Sequence, residues 1–200
     1  MKGYYFVTDT KLSRAGNVSD VQNAVAAGVQ VVQYRRKAAS TAELFAEAVV
    51  LRKLCHRTLF LVNDRVDIAL AVQADGVHLG QEDLPLTAAR KLLGREKIIG
   101  LTVHSLDEAR QAEAAGADYL GISPIFTTQT KADAGRPAGI QLIRQIKRAV
   151  KIPLVAIGGI NLANAPEVVQ SGADGLCAIS AVVSREDVRG EIEKFQRIFG

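Results

Sequence analysis

The chain has 200 residues, enough for one hydrophobic core, and its 48% hydrophobic and 23% charged residues are the mix of an ordinary globular protein. This balance excludes a mainly disordered chain. The 25 basic and 21 acidic residues leave a formal net charge of +4, with no run of like charge that would indicate a nucleic-acid-binding arm. We interpret the small basic excess as available to an anionic small molecule.

Two further features of the sequence indicate a cytoplasmic protein. No apolar stretch approaches the roughly 20 residues that span a bilayer. Cys55 and Cys177 lie far apart without a Cys-x-x-Cys motif, which is typical of reduced thiols in a cytoplasmic protein. No linker or shift in composition divides the chain. We therefore expect a cytoplasmic protein with one domain, residues 1–200, that binds neither nucleic acid nor membranes.

Short apolar runs alternate with longer amphipathic runs along the chain. Most of the short runs lack a strict polar–apolar alternation, which is typical of parallel strands covered on both faces. The predicted strands are Tyr4–Thr8, Val29–Tyr34, Leu59–Val62, Gly76–Leu79, Ile98–Leu101, Tyr119–Ile122, Leu154–Ile157 and Gly175–Ile179.

The stretches between these runs carry helix signals. Capping-box patterns begin at Ser40 and at Ser105, and a third amphipathic stretch runs from Ile140 to Val150 and stops before Pro153. A joint of small residues, often Ala-Gly or Ala-Asp, recurs just before strands, as a βα array requires. The pattern predicts an α/β fold, a single (β/α)8 TIM barrel, with a doubly wound open sheet as the alternative.

Polar residues follow the carboxyl ends of the predicted strands, which is where (β/α)8 barrels carry their chemistry. If the barrel is correct, these residues meet at one mouth although they are distant in sequence. In chain order they are Gln33, Tyr34, Arg35, Arg36, Lys37, Asn63, Asp64, Asp83, Thr102, His104, Thr128, Thr130, Lys131, Gly158, Gly159, Ile179 and Ser180.

The chemistry of these residues indicates a site for phosphorylated ligands. Arg35, Lys37 and Lys131 offer cationic donors to phosphate oxygens. Asp64 and Asp83 are hard oxygen ligands that suit Mg²⁺, an ion that keeps waters and takes phosphate oxygens as its remaining ligands. The glycine pair and Ile179–Ser180 fit the phosphate site that barrels build after strands 7 and 8. The mouth is therefore predicted to hold two anionic groups.

Structural alternatives exist for several of these residues. Asp64 could cap the helix that begins near Arg65, and Asp83 could cap the helix after Pro85. His78 lies within a strand and is interpreted as a packed or hydrogen-bonded structural histidine rather than a base. The joint occurrence of the polar residues at successive strand ends favours the functional interpretation.

Several motifs of the chain match one family. The matching segments are Gln33-x-Arg35-x-Lys37, Asn63–Leu70, Gly76–Pro85, Pro124-Ile125-Phe126 with Thr128-x-Thr130-Lys131-x-Asp133, Val155–Ile160 and Ala178–Ala181. From Tyr4 nearly to the C-terminus, the chain closely resembles the thiamine-phosphate synthase (thiamine-phosphate pyrophosphorylase) family. The resemblance implies a Mg²⁺-dependent transferase of thiamine biosynthesis that joins a hydroxymethylpyrimidine diphosphate to a thiazole phosphate, plain or carboxylated, and releases pyrophosphate.

The resemblance also implies roles for individual residues. Arg35, Lys37 and Lys131 would act on the leaving diphosphate, and Asp64 and Asp83 would hold Mg²⁺. The residues implied for the pyrimidine diphosphate are Gln33, Tyr34, Arg35, Arg36, Lys37, Asn63, Thr102 and Lys131, and those for the thiazole phosphate are Thr128, Thr130, Gly159, Ile179 and Ser180. The expected partners are these two small molecules, and the oligomeric state, including a homo-oligomer, stays open.

The chain departs from the family pattern at a few positions. Thr102 stands where serine is usual, Ser123 where glycine is usual and Thr127 where proline is usual. None of these changes removes a metal ligand or a diphosphate cation.

Two other functions are compatible with parts of the pattern. One is a thiazole tautomerase of the same superfamily, in which His104 would matter, and the other is a non-catalytic binder of phosphorylated ligands. The retained acidic and cationic residues favour the synthase.

Overall fold

The computed structural model describes residues 1–128, 130 and 136–200. Within these residues, eight parallel strands close into a barrel in sequence order, with β1 between β2 and β8. The strands are β1 Gly3–Val7, β2 Val31–Tyr34, β3 Leu59–Asn63, β4 Gly76–Leu79, β5 Ile98–Val103, β6 Tyr119–Ile122, β7 Leu154–Ile157 and β8 Gly175–Cys177. The predicted (β/α)8 barrel is confirmed, and the open sheet is excluded by the pairing of β1 with β8.

Helices follow the strands around the barrel. They are α1 Asn17–Ala26, α2 Thr41–Leu54, α3 Val66–Ala71, α4 Leu86–Leu93, α5 Leu106–Ala114, α6 Gly139–Ala149, α7 Ala165–Gln170, α8 Ile179–Val183 and α9 Val188–Gln196, and a 3₁₀ turn Arg197–Phe199 ends the chain. No helix in the described part of the chain is long and apolar enough to cross a membrane. The interpretation of residues 1–200 as one domain stays a prediction.

The predicted helix starts are found where the capping patterns stand. The Ser40 side chain accepts the Glu43 N–H, and the Glu43 carboxylate in return accepts the Ser40 N–H at 2.8 Å. These hydrogen bonds to Ser40 lower the pKa of Glu43. Ser105 likewise accepts the Glu108 N–H, but the Glu108 carboxylate binds the His104 N–H at 2.7 Å. Local capping chemistry therefore sets the beginning of α2 and α5.

The last predicted strand extends into a helix of the structure. The apolar run from Gly175 was expected to stay extended as far as Ile179, whereas β8 ends at Cys177 and α8 begins at Ile179. A short run of buried apolar residues has the same appearance in a strand and in a buried helix, so periodicity does not separate the two.

The strands are apolar at nearly every position because both of their faces are covered. Side chains that point outward pack against the helices, and Phe6, Phe60, Leu120 and Phe195 are among the fully buried members of this layer. Side chains that point inward fill the barrel, and this smaller cluster is Tyr5, Val7, Val31, Leu61, Tyr119, Val155 and Cys177. Two separate apolar layers therefore flank the same strands.

The recurrent joint before the strands has a structural explanation. Asp75, Asp118 and Asp174 each precede an even-numbered strand, and each accepts the backbone N–H of a residue in the preceding strand at 2.7–2.9 Å. Each also pairs with a cation on an outer helix, namely Arg52, Arg90 and Lys147 in turn. Before β2, the uncharged side chain of Gln30 makes the corresponding hydrogen bond by accepting the Lys2 N–H. We call these four residues the amino-end staples.

Candidate active site

A cavity of about 920 Å³, a volume that includes open solvent, lies at the carboxyl end of the barrel. All eight strand ends contribute to its wall. Twelve of the residues predicted for the site line it, and these are Gln33, Arg35, Lys37, Asn63, Asp64, Asp83, Thr102, Thr128, Thr130, Gly159, Ile179 and Ser180. Lys131 lies outside the described residues.

Tyr34 and Arg36 are not brought to this cavity. The Tyr34 hydroxyl donates to Glu47 Oε2 at 2.6 Å, and Arg36 Nη1 donates to the same oxygen at 3.0 Å. Side chains alternate along a strand, so Gln33, Arg35 and Lys37 face the mouth while the residues between them face α2. Tyr34 and Arg36 therefore hold α2 against the end of β2, and their assignment to the pyrimidine diphosphate stays a prediction.

Asp64 and Asp83 do not cap helices. Neither α3 nor α4 receives a side-chain hydrogen bond at its N-cap. Asp83 Oδ2 accepts the Gly80 N–H at 2.7 Å, and the pKa of Asp83 is raised, first by burial and then by its hydrogen bond with Asp64. The two carboxylates therefore meet in the cavity, where they repel each other unless a proton or a cation is shared.

The backbone of Asp64 is held in an unusual conformation. Its φ of 64° lies in the left-handed region, which is uncommon for residues other than glycine. The Asp64 N–H donates to the carbonyl of His78 at 2.8 Å, which fixes this turn to the end of β4. Asp64 Oδ2 accepts from Lys37 Nζ at 2.6 Å. The turn therefore directs a carboxylate toward a cation and toward Asp83.

Arg35 is oriented by a residue that the sequence pattern had not singled out. Its Nη1 donates to Asp9 Oδ2 at 3.1 Å, and Asp9 is buried just beyond β1. The Thr8 hydroxyl accepts the Arg35 N–H at 2.8 Å. Thr8 and Asp9 follow β1 as the other polar residues follow their strands, and that position is the signal that could have found them.

The opposite side of the cavity is built from backbone. Gly158 and Gly159 have φ values of 99° and 67°, and a Cβ on Gly159 would lie 2.6 Å from the carbonyl oxygen of Thr127. Glycine is therefore required where the loops after β6 and β7 touch. The amino end of α8, at Ile179, has no side-chain cap, so its first N–H groups are available to an anion.

A chain of hydrogen bonds crosses the barrel below the cavity. It joins Gln33 to Tyr5, Tyr5 to Tyr119, Tyr119 to His78 and His78 to Thr102. The prediction that His78 is a hydrogen-bonded structural histidine is confirmed by two of these bonds, although His78 also lines the cavity. Tyr5 and Tyr119 were not predicted, because each looks like an ordinary strand tyrosine until the strands are assembled.

The two free cysteines and His104 make none of these hydrogen bonds, although Cys177 lines the cavity. Burial raises the pKa of Cys55 to about 12 and raises that of Cys177 further still, so neither is a ready thiolate. His104 does not line the cavity, and its Nδ1 lies 2.6 Å from the carbonyl oxygen of Ser123. The thiols fit the predicted structural role.

A closed parallel barrel with paired carboxylates, cations and free backbone N–H groups at its mouth defines the class of (β/α)8 enzymes that act on phosphorylated small molecules. Comparison with known proteins narrows this class. Residues 4–182 match the family model described as thiamine monophosphate synthase. The chain therefore belongs to the thiamine monophosphate synthase family.

Individual relatives agree with the family model. The chain is 54% identical to a thiamine-phosphate synthase of Methanosarcina mazei over 96% of this chain and 80% of the relative. It is 52% identical to a thiamine-phosphate synthase of Chloroflexus aurantiacus over 92% and 86% of the two chains. A solved thiamine phosphate pyrophosphorylase of Pyrococcus furiosus superposes with a TM-score of 0.91 at 45% identity, covering 98% of this chain and 95% of that one. The predicted family and transferase class are confirmed, and these relatives do not support the tautomerase alternative.

Proposed function

We propose that the chain condenses 4-amino-2-methyl-5-hydroxymethylpyrimidine diphosphate with a thiazole phosphate to form thiamine phosphate and pyrophosphate. The observation that carries this proposal is the contact between Asp64 and Asp83 beside Lys37, in the same cavity as the glycine-lined anion site after β7 and β8. A metal-assisted diphosphate site and a separate monophosphate site are what the two substrates need. Family membership supports the same reaction.

Mg²⁺ fits the paired carboxylates. No three acidic, histidine or cysteine side chains gather anywhere in residues 1–128, 130 and 136–200, so the chain offers two oxygen donors rather than a closed cage. Two carboxylates that leave positions open suit an ion that shares substrate phosphate oxygens. Asp64 and Asp83 would hold the ion, and the ion would supply positive charge to the diphosphate.

The protein's own cations stabilise the leaving group. The reaction breaks the bond between the exocyclic carbon of the pyrimidine and the bridging oxygen, so negative charge accumulates on the diphosphate. Arg35 and Lys37 line the cavity close to the carboxylates and meet this charge, and Lys131 is proposed to join them. Because Arg35 is already fixed by Asp9, its charge is in place before the bond breaks.

The second substrate needs orientation rather than activation. The attacking ring nitrogen of the thiazole has no proton to lose, so the step requires no general base. The backbone at Gly159, Ile179 and Ser180, with Thr128 and Thr130, would bind the thiazole phosphate and aim the nitrogen at the pyrimidine carbon. Positioning of this kind contributes several kcal/mol to catalysis, about 7–11 kcal/mol in the best cases.

The test is direct. Purified protein is mixed with both phosphorylated substrates and Mg²⁺, and thiamine phosphate and pyrophosphate are measured together. Equal amounts of the two products are expected, with loss of both when a chelator is added and recovery when Mg²⁺ is restored. Absence of thiamine phosphate at saturating substrates and Mg²⁺ would refute the proposal. Running plain and carboxylated thiazole phosphate in parallel identifies the second substrate.

We also propose the compartment, the partners and the domain organisation of the enzyme. The free state of both cysteines and the composition support a cytoplasmic protein whose partners are small molecules rather than nucleic acid. Because all eight strand ends line one cavity, we propose that residues 1–200 act as one domain.

A further inference from the structure

The hydrogen-bonded chain inside the barrel links two residues of the cavity wall through two tyrosines that do not line it and through His78, which does. Gln33 and Thr102 are its ends, and both line the cavity, as does His78. Tyr5 and Tyr119 lie between them and are 3% and 1% exposed. This hydrogen-bonded chain therefore connects β2 to β5 across the barrel interior, so the donor and acceptor roles at one end are coupled to those at the other.

The protons in this chain can be counted from Gln33. Its Nε2 donates to the Tyr5 hydroxyl oxygen at 2.9 Å, so the single proton of Tyr5 is free to go to Tyr119, whose oxygen is 2.6 Å away. Tyr119 then gives its proton to Nδ1 of His78 at 2.8 Å. A neutral imidazole that accepts at Nδ1 carries its proton on Nε2 and donates it to Thr102 Oγ1, also at 2.8 Å. For a neutral imidazole, this is the arrangement in which every proton of the hydrogen-bonded chain has an acceptor.

Burial keeps the two tyrosines of the hydrogen-bonded chain neutral. Desolvation raises the pKa of both Tyr5 and Tyr119 well above the ordinary value, so both phenols keep their protons. Two strand glycines make room for the rings, since a Cβ on Gly100 would collide with the Tyr119 ring and a Cβ on Gly121 would lie 2.9 Å from His78 Cε1. The interior is thus shaped around these polar side chains.

The ends of the chain present opposite hydrogen-bonding groups to the cavity. One N–H of Gln33 Nε2 donates to Tyr5, which leaves the second N–H as a donor and Oε1 as an acceptor for a ligand. Thr102 accepts from His78, so its own O–H is left to donate. A ligand that satisfies Oε1 of Gln33 and the O–H of Thr102 must donate to the first and accept from the second.

We propose that Tyr5 and Tyr119 are positioning residues that fix the hydrogen-bond polarity of Gln33 and Thr102, and thereby make the cavity select an aminopyrimidine over an oxopyrimidine. This inference rests on the proposed function, because it names the feature of the pyrimidine ring that the cavity recognises. An aminopyrimidine offers an N–H donor beside a ring-nitrogen acceptor. The corresponding oxopyrimidine offers a carbonyl acceptor beside a ring N–H, which leaves Gln33 Oε1 without a donor and sets the ring N–H against the O–H of Thr102.

The first test reads the imidazole of His78 in the protein without ligands. The sequence has 3 histidines, so a double variant with H56Q and H104Q keeps His78 as its single histidine. Nitrogen-15 NMR above about pH 8, where an ordinary histidine is neutral, distinguishes the two tautomers. The proposal expects the proton on Nε2. A proton on Nδ1 would overturn it.

Q33E in the same background reverses the expected direction. A carboxylate can only accept, so Tyr5 must donate to it, Tyr119 must donate to Tyr5, and His78 must donate from Nδ1. The tautomer should therefore switch to Nδ1–H. A tautomer unchanged by Q33E would show that Gln33 does not set the direction, and the proposal would fail.

The second test measures selectivity. The ratio of kcat/KM for the 4-amino pyrimidine diphosphate to that for its 4-oxo analogue should be at least ~100-fold in the wild type. Y119F and Y5F should each reduce this ratio by ~10-fold or more, with the KM for the thiazole phosphate unchanged. Y4F is the matched control, because Tyr4 is a buried tyrosine of the same strand whose hydroxyl donates to Ala178 outside this chain. Its ratio should equal that of the wild type.

The outcomes separate the two proposals. If Y119F and Y5F retain the wild-type ratio while both variants are folded by urea titration, the positioning role is refuted. If the wild type forms no thiamine phosphate, the proposed function fails, and the tautomer of His78 in the ligand-free protein still decides whether the polarity of the chain is as inferred.

Discussion

At the amino ends of the strands, the staple residues Asp75, Asp118 and Asp174 each accept a backbone N–H and pair with a cation of an outer helix. At the carboxyl ends, Asp64 and Asp83 instead meet each other, and burial and this contact raise the pKa of Asp83. At the amino end each carboxylate is thus paired with its own cation, whereas at the mouth two carboxylates share the cation of Lys37. Stability and function are separated along the barrel axis.

The largest expected effect comes from removing a carboxylate at the mouth. D64N and D83N should each lower kcat/KM by ~100-fold or more, since each removes charge from the proposed ion site. D67N is the matched control, because Asp67 lies in the first turn of α3 and pairs with Arg65 but does not line the cavity. Steady-state assays at limiting Mg²⁺ measure the effect. Near-wild-type activity of D64N and D83N there would contradict the metal assignment.

The matching change at the amino end should affect stability instead. D118N weakens the hydrogen bond to the Ile99 N–H and the pair with Arg90. Because the Asp118 side chain is 44% exposed, the expected loss in free energy of unfolding is about 1–2 kcal/mol. Urea titration measures this loss, and turnover per folded molecule should equal that of the wild type. A fall in kcat without a loss of stability would remove the distinction between the two ends.

The raised pKa of Asp83 predicts a pH dependence with a definite sign. An acid whose pKa is higher in the folded state loses stabilisation as the pH rises above its unfolded value, here 3.8. Without metal, the wild type should therefore lose stability relative to D83N as the pH approaches neutrality. Mg²⁺ at ten times its Kd should restore about 1.4 kcal/mol to the wild type and less to D83N. Thermal unfolding across pH, with and without Mg²⁺, measures both effects, and a D83N variant less stable than the wild type at neutral pH without metal would contradict the assignment.

The smallest effect is expected from a glycine at the amino end. Gly28 has a φ of 76° and open space around it, so G28A should cost about 1 kcal/mol through backbone strain alone. G159A carries a similar strain but also a collision with the Thr127 carbonyl, so it should raise the KM for the thiazole phosphate as well. Equal kinetic behaviour of the two variants would show that Gly159 has no special part in the anion site.

Much of the candidate site could be predicted because a βα barrel places every strand end at one mouth. Gln33, Asn63, Asp64, Asp83 and Thr102 were named from their position after strands, and all five line the cavity. The prediction of cavity-lining residues was less accurate where several consecutive polar residues stand at the end of a strand. Tyr34 and Arg36 alternate with their neighbours and face α2, and the apolar run after Gly175 hid the start of α8.

The rhythm of apolar runs and capping signals predicted the barrel and the helix starts at Ser40 and Ser105, and the resemblance of short motifs indicated the family. Each of these signals depends on residues close together in the chain. The contact of Asp64 with Asp83, the support of Arg35 by Asp9 and the path from Tyr5 to Tyr119 were decided only by the tertiary structure. Each joins residues of different strands, and their meeting depends on the closure and stagger of the whole barrel. No local pattern records that geometry.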